Sequence, residues 1–338
     1  MELLTPLLKQ VSRSFYLTLR VLPGSIRSQI GLAYLLARAT DTIADTEIVP
    51  LEQRLDALRQ FREAIQCADA ASPTPVLEFG ELAKHQGLPA ERVLLERCDE
   101  ALSLLAKLSA DDQHHVREVL RIITSGQELD LIRFSGASAG NIVALQRDDE
   151  LDDYTYRVAG CVGEFWTRMC RSHVFPNARL DDAFLLAAGV RFGKGLQLVN
   201  ILRDLPRDLR AGRCYVPESR LRDIGLTPKD LLAPAAEPKL RPLYIQYLRQ
   251  AEAHLAAGWG YTNTLPWRAV RVRLACAWPI LIGLKTCSKL RSGNVLDGQT
   301  PLKISRAEVR GVVVASVLLY PLPILWRQLG NSRAARGT

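Results

Sequence analysis

The chain has 338 residues, of which 48% are hydrophobic and 24% are charged, and its net charge is +8 at pH 7. This length and hydrophobic content allow a large buried core and exclude a disordered chain, apart from the small and polar residues 331–338. The positive charge favours anionic partners, but the basic residues are scattered and form no recognition motif, so nucleic acid is not expected as a partner.

Helical periodicity dominates the predicted secondary structure. Apolar residues recur at the spacing of one helix face over 51–68, 93–108, 112–132, 183–203 and 240–257. Breaks rich in proline and glycine fall at 22–24, 71–75, 175–177, 232–238 and 292–301, and Asp181 or Asp182 can cap the helix that begins near Ala183. Because alternating strand patterns are nearly absent, we predict an all-α fold with one domain over 1–330 and a polar tail over 331–338.

One apolar segment near the C-terminus needs a separate interpretation. Residues 311–326 lie between Arg310 and Arg327, and they contain Pro321 and Pro323. The segment is shorter than the ~20 residues that a membrane-spanning helix needs, and the prolines interrupt it. We predict a packed core helix here, with a shallow peripheral membrane contact as the alternative.

Cysteine usage and the N-terminus indicate where the protein resides. The seven cysteines form no C-x-x-C pair, and the five histidines have no H-x-x-x-H spacing, so reduced thiols are expected and a zinc site is not. Residues 1–10 lack the long apolar stretch of a signal peptide. We expect a cytoplasmic monomer, with membrane contact limited to its periphery.

The strongest chemical signal is a pair of D-x-x-x-D motifs, Asp41 with Asp45 and Asp204 with Asp208. An i,i+4 spacing places two carboxylates on one helix face, about 6 Å apart, where like charges destabilise the helix. A magnesium ion would neutralise them, because Mg²⁺ prefers oxygen ligands from one or two carboxylates together with water and substrate phosphates. Two such pairs predict magnesium sites that bind one or two diphosphate groups.

Each motif extends into a polar stripe along an otherwise apolar helix. The stripes consist of Tyr34, Arg38, Asp41 and Asp45, and of Gln197, Asn200, Asp204 and Asp208. A solvent-exposed helix face is the alternative interpretation of either stripe alone, but two similar stripes favour a site. Pro206 lies inside the second motif, and we expect it to end or kink the helix, which leaves the position of Asp208 open.

Two glycines, Gly160 and Gly163, lie in the segment Val158 to Gly163. Each glycine costs about 1 kcal/mol relative to alanine within a helix, so each needs a reason. A close approach of either a second helix or a substrate would supply one, and the residues alone do not decide between them.

Five motifs resemble those of the squalene/phytoene synthase family, in the order found there. They are Ser12-Arg13-Ser14-Phe15, the stripe from Tyr34 to Asp45, the segment from Tyr154 to Gly163, the stripe from Gln197 to Asp208, and Gly212-Arg213-Cys214-Tyr215-Val216-Pro217. The resemblance covers most of the chain. It implies an isoprenoid synthase-type helical bundle with a central apolar cavity, and a magnesium-dependent enzyme that joins two prenyl diphosphates head to head.

The resemblance also implies roles for individual residues. Asp41, Asp45, Asp204 and Asp208 would hold Mg²⁺, while Arg13, Arg38, Arg203 and Arg213 would donate to diphosphate oxygens. Ser12, Ser14, Phe15, Tyr34, Gln197 and Asn200 would line the site, and Tyr154 would aid proton removal or stabilise a carbocation. The glycines of the Tyr154 segment would then border a channel for the prenyl chain.

The family resemblance leaves more than one product open. Squalene-forming members use NADPH, and Leu302-Lys303-Ile304 resembles a segment near their nicotinamide site. The resemblance implies that Lys303 pairs with a phosphate of the cofactor, and a solvated loop lysine is the alternative. The glycines Gly189, Gly193 and Gly195 do not fit a Rossmann fingerprint. Phytoene or dehydrosqualene formation, which needs no reductant, is the alternative enzyme activity. A non-catalytic helical scaffold is the alternative of another class, although it would not need the four aspartates.

Overall fold

Helices form nearly all the regular structure in the computed structural model, which describes residues 4–12, 15–67, 79–298 and 302–334. Contacts along the chain divide it into two units. The first consists of residues 1–132 and 165–177, and the second of 133–164 and 178–338. The all-α class is confirmed, whereas one domain over 1–330 and the apolar cavity stay predictions.

The first unit is built around the helix α3. Its helices are α1 (Leu4–Val11), α2 (Phe15–Val21), α3 (Gly24–Asp45), α4 (Leu51–Cys67), α5 (Gly80–Lys84), α6 (Pro89–Glu96), α7 (Cys98–Leu105) and α8 (Ala110–Arg133, of which the last residue belongs to the second unit). A break was predicted at 22–24, and α3 begins there, directly after Pro23; its apolar face packs against α4 and α7.

The prediction of one helix over 93–108 was wrong, because the chain breaks at Arg97. Arg97 has φ −117° and ψ 20°, which ends α6 at Glu96 and begins α7 at Cys98. The apolar spacing continues through the break, since Leu94, Cys98 and Leu102 are all buried. A one-residue interruption of this kind leaves the periodicity unchanged and is therefore invisible in it.

The second unit contains the longest helices of the structure. Its elements are β1 (Val143–Ala144), α9 (Asp148–Thr155), a π-helical turn (Tyr156–Gly160), the start of α10 (Cys161–His173), α11 (Asp182–Arg210), β2 (Arg213–Cys214), α12 (Glu218–Asp223), two 3₁₀ turns (Pro228–Leu232 and Pro234–Ala236), α13 (Glu237–Thr264), α14 (Val270–Ser292), α15 (Arg306–Leu319) and α16 (Pro323–Ala334). The strands β1 and β2 pair in parallel.

The helix α11 is the core helix of the second unit and packs against α13 and α14. Asp181 caps it, as predicted, by accepting a hydrogen bond from the Phe184 backbone N–H at 3.0 Å. In the described part of the chain, α11 is the one helix long and apolar enough to cross a membrane. Because 56% of its apolar window is buried inside the protein, packing accounts for that composition.

Pro206 does not end α11, because the helix continues to Arg210; a kink at Pro206 stays a prediction. Proline has no N–H to donate to the carbonyl four residues earlier, which is that of Leu202. The hydroxyl of Tyr244, on α13, donates to the Leu202 carbonyl oxygen at 2.9 Å instead. The carbonyl therefore keeps a partner, and Asp208 remains on the same helix as Asp204.

Helix packing explains the glycines of the segment 158–163. A Cβ atom on Gly163 would lie 1.9 Å from the Gly189 carbonyl oxygen, and one on Gly193 would lie 2.0 Å from that of Ala159. The π-helical turn and the start of α10 thus cross α11 with their backbones in contact. The expectation that Gly163 borders a prenyl channel is corrected, since a helix occupies the space beside it.

The segment 311–326 is not the packed core helix that we predicted. It forms the end of α15, a break at Tyr320 and the start of α16. Val312, Ser316 and Trp326 are buried, but Leu318 and Ile324 are 69% and 74% exposed. The segment has more apolar residues than one buried helix face can hold.

Candidate active site

Asp41 lies on α3 between an amide donor and a guanidinium group. The Gln127 amide, on α8, donates to Asp41 Oδ1, and Arg38 Nη1 lies 3.8 Å from Asp41 Oδ2. Although the side chain is 50% exposed, desolvation by the surrounding protein and repulsion from Asp45 raise the pKa of Asp41 to about 6. The site thus holds a carboxylate whose negative charge lacks sufficient compensation.

Asp45 is the last residue of α3 and lines a cavity of about 350 Å³ in the first unit. Arg38 and Glu91 also line this cavity, and their side chains form an ion pair. Burial opposes the charge of Arg38, but its hydrogen bond to Glu91 contributes to a raised pKa. The cavity wall is polar and carries both signs of charge.

The segment that contains Ser12 contacts α3 through Tyr34. The Tyr34 hydroxyl donates to the Val11 carbonyl oxygen at 3.4 Å, and the next residue, Ser12, is 2% exposed and donates to the Leu8 carbonyl oxygen. Ser12 and Tyr34 are therefore close in space, as expected for one site. Arg13 and Ser14 lie outside the described residues, as does the side chain of Phe15.

The second unit carries the other polar stripe on α11. Gln197, Asp204 and Asp208 are partly exposed and Asn200 is exposed, while Leu198, Val199, Leu202, Leu205 and Leu209 bury the opposite face. Arg203 donates two hydrogen bonds to the Asp204 carboxylate, at 2.9 and 2.5 Å. This pairing raises the pKa of Arg203. A guanidinium group thus lies directly beside the carboxylate, within the same unit.

Tyr154 occupies the last turn of α9 and stacks on Tyr215. The ring centroids are 4.8 Å apart with 27° between planes, and the two hydroxyl oxygens lie 3.4 Å apart. Phe134 packs its edge against Tyr215. These contacts fix the orientation of the Tyr154 ring. Sequence reasoning assigned a role to Tyr154 but missed its partner, Tyr215, although Tyr215 lies in one of the five motifs.

Arg213 is positioned by the pairing of β2 with β1. The Val143 backbone N–H donates to the Gly212 carbonyl oxygen at 2.8 Å, and Arg213 pairs with Val143 in register. Gly212 has φ +80°, and a Cβ atom there would lie 2.3 Å from the Ser138 nitrogen, so glycine is required. This short strand pair was not predicted from the sequence, because two-residue strands leave no alternating pattern.

Lys303 lies in the loop before α15, and its side chain is exposed. Its carbonyl oxygen accepts a hydrogen bond from Lys289 Nζ at 3.2 Å. Lys285 and Lys289 both form ion pairs with Glu308 in the same region. The loop is thus held on α14 by basic residues, and a role for Lys303 toward a cofactor stays a prediction.

The donor atoms at both stripes suit magnesium. They are carboxylate and carboxamide oxygens, which are the ligands that Mg²⁺ prefers. Within the described ranges, no three His, Cys, Asp or Glu side chains cluster closely enough to hold a metal by themselves. The buried Gln127 Oε1, which has no hydrogen-bond partner among described atoms, offers a further acceptor beside Asp41.

Two residues that contact the first stripe were missed from the sequence. Gln127 falls on the buried face of α8, between Ile123 and Leu131, where the pattern calls for an apolar residue. A polar residue at this buried position could therefore have indicated a functional role for Gln127. Glu91 gave none, because an acidic residue in the first turn of α6 is explained by the helix dipole alone.

Most of the chain matches one known protein family. The squalene/phytoene synthase family matches residues 8–308. A presqualene diphosphate synthase of Rhodopseudomonas palustris is 30% identical over 261 residues, which are 76% of this chain and 77% of that protein. A bifunctional lycopene cyclase/phytoene synthase of Blakeslea trispora is 30% identical over 337 residues, or 98% of this chain, which spans only 50% of that longer protein.

Two solved structures show the same fold. The structure of a squalene synthase (TcSQS) with a bound ligand has a TM-score of 0.78 at 22% identity, covering 100% of this chain and 92% of its own. A dehydrosqualene synthase has a TM-score of 0.64 at 21% identity, covering 94% of this chain and 95% of its own. The predicted isoprenoid synthase-type helical fold is thereby confirmed.

Proposed function

The chain belongs to the squalene/phytoene synthase family of head-to-head prenyl synthases, and from this premise we propose that it is a magnesium-dependent squalene synthase. As a prenyltransferase of this family it acts on prenyl diphosphates. The proposal adds the substrate, two farnesyl diphosphates, and the product. The observation that supports the magnesium-dependent step is the pair Asp41 and Asp45 on one helix, where desolvation and repulsion from Asp45 raise the pKa of Asp41, so that a cation would favour its charged form.

Asp41 and Asp45 in the first unit, and Asp204 and Asp208 in the second, are the proposed magnesium ligands. When bound, Mg²⁺ supplies positive charge that helps a diphosphate group to leave. Arg38 and Arg203 already place guanidinium groups beside Asp41 and Asp204. We assign these arginines, with Arg13 and Arg213, to donating hydrogen bonds to the diphosphate oxygens.

Tyr154 is the proposed residue for the carbon chemistry. Departure of diphosphate leaves an allylic cation, and the double bond of the second farnesyl diphosphate attacks it. Loss of a proton then gives the cyclopropyl compound presqualene diphosphate. The electron-rich face of a tyrosine ring stabilises a nearby cation, and its hydroxyl can accept a proton that is passed on. Stacking on Tyr215 holds that ring in place. Ser12, Ser14, Phe15, Tyr34, Gln197 and Asn200 are proposed to line the site.

Squalene formation requires a second step. Presqualene diphosphate loses its diphosphate, and hydride transfer from NADPH to the rearranged cation gives squalene. We propose that Lys303 binds a phosphate of NADPH. The fold likeness to a squalene synthase covers 100% of this chain, including α16 beyond the family match, and supports this product. The 30% identity to a presqualene diphosphate synthase supports a second candidate, in which the reaction stops before reduction.

Product analysis distinguishes these candidates. The purified chain is incubated with farnesyl diphosphate and Mg²⁺, with and without NADPH, and the products are identified by mass spectrometry. We expect presqualene diphosphate without NADPH and squalene with it. Presqualene diphosphate under both conditions supports the second candidate. Dehydrosqualene, or phytoene from geranylgeranyl diphosphate, would overturn the squalene assignment while keeping the head-to-head reaction.

Substitution of the aspartates tests whether the protein is a catalyst or a scaffold. In Asp41→Asn and in Asp204→Asn, we expect the turnover rate to fall by about a hundredfold or more, because the negative ligands of the metal are lost. Asp56→Asn and Asp223→Asn are matched controls, since those aspartates are 64% and 69% exposed and pair with surface arginines. Circular dichroism checks the fold. Equal activity in all four variants would refute the assigned metal sites.

A further inference from the structure

Two contacts between a glutamine and an aspartate join α3 to α8 in the first unit. In one, Gln29 Nε2 of α3 donates to Asp112 Oδ2 of α8 at 3.1 Å. In the other, the Gln127 amide of α8 donates to Asp41 Oδ1 of α3. The two pairs have the same chemistry, but they differ in how completely their remaining oxygen atoms are paired. This difference indicates what each pair does.

The pair of Gln29 and Asp112 is fully paired within the protein. Asp112 is 4% exposed, and its other carboxylate oxygen lies 2.6 Å from His173 Nε2. Gln29 Oε1 accepts a hydrogen bond from Ser28 Oγ at 3.2 Å. Each carboxylate and carboxamide oxygen of this pair therefore has a protein partner. A structural contact between two helices requires this, because a buried polar atom without a partner destabilises the fold.

The pair of Gln127 and Asp41 is only half paired. Gln127 is 7% exposed, and because an ionised carboxylate only accepts hydrogen bonds, its NH₂ group must face Asp41. Its Oε1 is buried and has no hydrogen-bond partner among the described atoms. Thr124, one turn earlier on the buried face of α8, supplies none, since its hydroxyl donates to the Leu120 and Arg121 carbonyl oxygens. An unused acceptor thus lies beside Asp41, at a cost in stability that a structural contact would avoid.

The second carboxylate oxygen of Asp41 is available to a cation. The Asp41 side chain is 50% exposed, and its Oδ2 lies 3.8 Å from Arg38 Nη1, which is beyond hydrogen-bond distance. Arg38 forms an ion pair with Glu91, which offsets its positive charge. Mg²⁺ usually keeps several water molecules when it binds a carboxylate, and these waters donate hydrogen bonds. The unused acceptor of Gln127 suits such a donor.

We propose that Gln127 is a positioning residue of the proposed magnesium site. Its Nε2 holds Asp41 Oδ1, which leaves Oδ2 for the cation, and its Oε1 accepts a hydrogen bond from a water molecule bound to Mg²⁺. The inference rests on the proposed function, because it takes Asp41 as a metal ligand, but it does not depend on which product forms. Residues that hydrogen-bond to metal ligands commonly change the metal affinity tenfold to a hundredfold when they are replaced.

Thermal unfolding with and without Mg²⁺ tests this role. Gln127→Met keeps the length of the side chain and removes its polar atoms, and Gln29→Met makes the same change in the fully paired contact. Each variant and the unchanged chain are unfolded over a range of Mg²⁺ concentrations with inorganic pyrophosphate present, because a bound metal raises the unfolding midpoint by mass action. Isothermal titration calorimetry under the same conditions gives the Mg²⁺ affinity directly.

The two variants should respond in opposite ways. In Gln127→Met we expect the Mg²⁺ affinity to fall by about tenfold to a hundredfold. Its unfolding midpoint without Mg²⁺ should equal or exceed that of the unchanged chain, because the unpaired buried acceptor is gone. In Gln29→Met we expect a lower midpoint without Mg²⁺, because the buried Asp112 loses a donor. Its Mg²⁺ affinity should equal that of the unchanged chain.

Two results for Gln127→Met would overturn the proposal. One is a loss of midpoint without Mg²⁺ as large as that of Gln29→Met, because Gln127 would then be a structural residue. The other is an unchanged Mg²⁺ affinity. Asp41→Asn distinguishes this failure from failure of the proposed function. If Asp41→Asn binds Mg²⁺ weakly and Gln127→Met binds it normally, only the role of Gln127 is refuted. If Asp41→Asn binds Mg²⁺ normally, or the unchanged chain binds none, the metal site and the role of Gln127 are refuted together.

Discussion

The Tyr244 hydroxyl donates a hydrogen bond at 2.9 Å to the Leu202 carbonyl, which Pro206 leaves without its usual helical donor. Tyr244 is 1% exposed, so water does not replace it. Burial raises the pKa of Tyr244, which keeps the hydroxyl protonated and able to donate. The bond thus supplies the donor that Pro206 lacks, in a helix that continues through the proline and carries both Asp204 and Asp208.

Removal of the Tyr244 hydroxyl should destabilise the protein. In Tyr244→Phe we expect the free energy of unfolding to fall by about 1 to 3 kcal/mol, because a buried carbonyl loses its donor. Urea denaturation gives the value. In a Pro206→Ala background the helix supplies an N–H to Leu202, so Tyr244→Phe should cost less there. An identical cost in both backgrounds would show that the hydroxyl does not compensate for the proline.

Asp41 should destabilise the metal-free protein at neutral pH. Its pKa is about 6 in the folded chain and 3.8 is the ordinary value, so the folded state binds this proton more tightly than the unfolded state. The contribution to stability is therefore present at low pH and is lost as the pH rises from about 4 to about 6.

Asp41→Asn removes this effect. At pH 7, without Mg²⁺, we expect a free energy of unfolding about 1 kcal/mol above that of the unchanged chain, after allowance for solvent screening of a half-exposed side chain. Near pH 4 the difference should disappear. Thermal or urea unfolding across this pH range measures it, with Asp56→Asn as the control. A gap that widens toward low pH would contradict the assigned shift.

Magnesium binding should depend on pH through the same carboxyl group. Below about pH 6 the metal must displace a proton from Asp41, so the binding constant is expected to fall up to tenfold for each unit of pH. Above that value it should be nearly constant. Isothermal titration calorimetry with Mg²⁺ and a non-hydrolysable prenyl diphosphate analogue measures both the constant and the protons released. Proton release that is unchanged in Asp41→Asn would assign the titration to another group.

The contact between Gly163 and Gly189 should tolerate no side chain. In Gly163→Ala the new Cβ would lie 1.9 Å from a carbonyl oxygen, so the helices must separate, and we expect a loss of about 1 to 3 kcal/mol. Gly311→Ala is the matched control, because the Cβ at this helical position meets nothing within 4 Å. There, alanine should raise the free energy of unfolding by up to about 1 kcal/mol. Equal effects would exclude the packing explanation.

Local features of the fold could be predicted from sequence, because they depend on neighbouring residues. The start of α3 after Pro23 and the Asp181 cap are examples, since each is decided within a few positions. The passage of α11 through Pro206 could not be predicted, because the compensating hydroxyl comes from a residue 42 positions after Leu202. The proline shows that one helical hydrogen bond is missing, but it does not show which residue donates to the carbonyl instead.

The candidate site shows the same division. The i,i+4 spacing of Asp41 and Asp45 was visible in the sequence, as was the family motif around Tyr154. Gln127 and Asp41, which are 86 positions apart, meet only in the folded chain. The C-terminal helices were misjudged for a different reason. Their apolar content indicated burial, yet Leu318 and Ile324 are largely exposed. Hydrophobicity in the sequence does not show whether an apolar side chain packs inside the protein or lies on its surface.

The π-helical turn at Tyr156–Gly160 sets the direction in which Tyr154 faces. In a regular α-helix, nine residues turn the chain by about 900°, which would place Tyr154 and Gly163 on opposite sides. A π-helical turn accommodates about one extra residue, so the two come to lie roughly 80° apart. Gly163 can then touch α11 while Tyr154 stacks on Tyr215, shortly after that helix. Deletion of one residue from this turn would rotate Tyr154 away from Tyr215, although both side chains would remain in the chain. The length of the segment therefore matters as much as its composition.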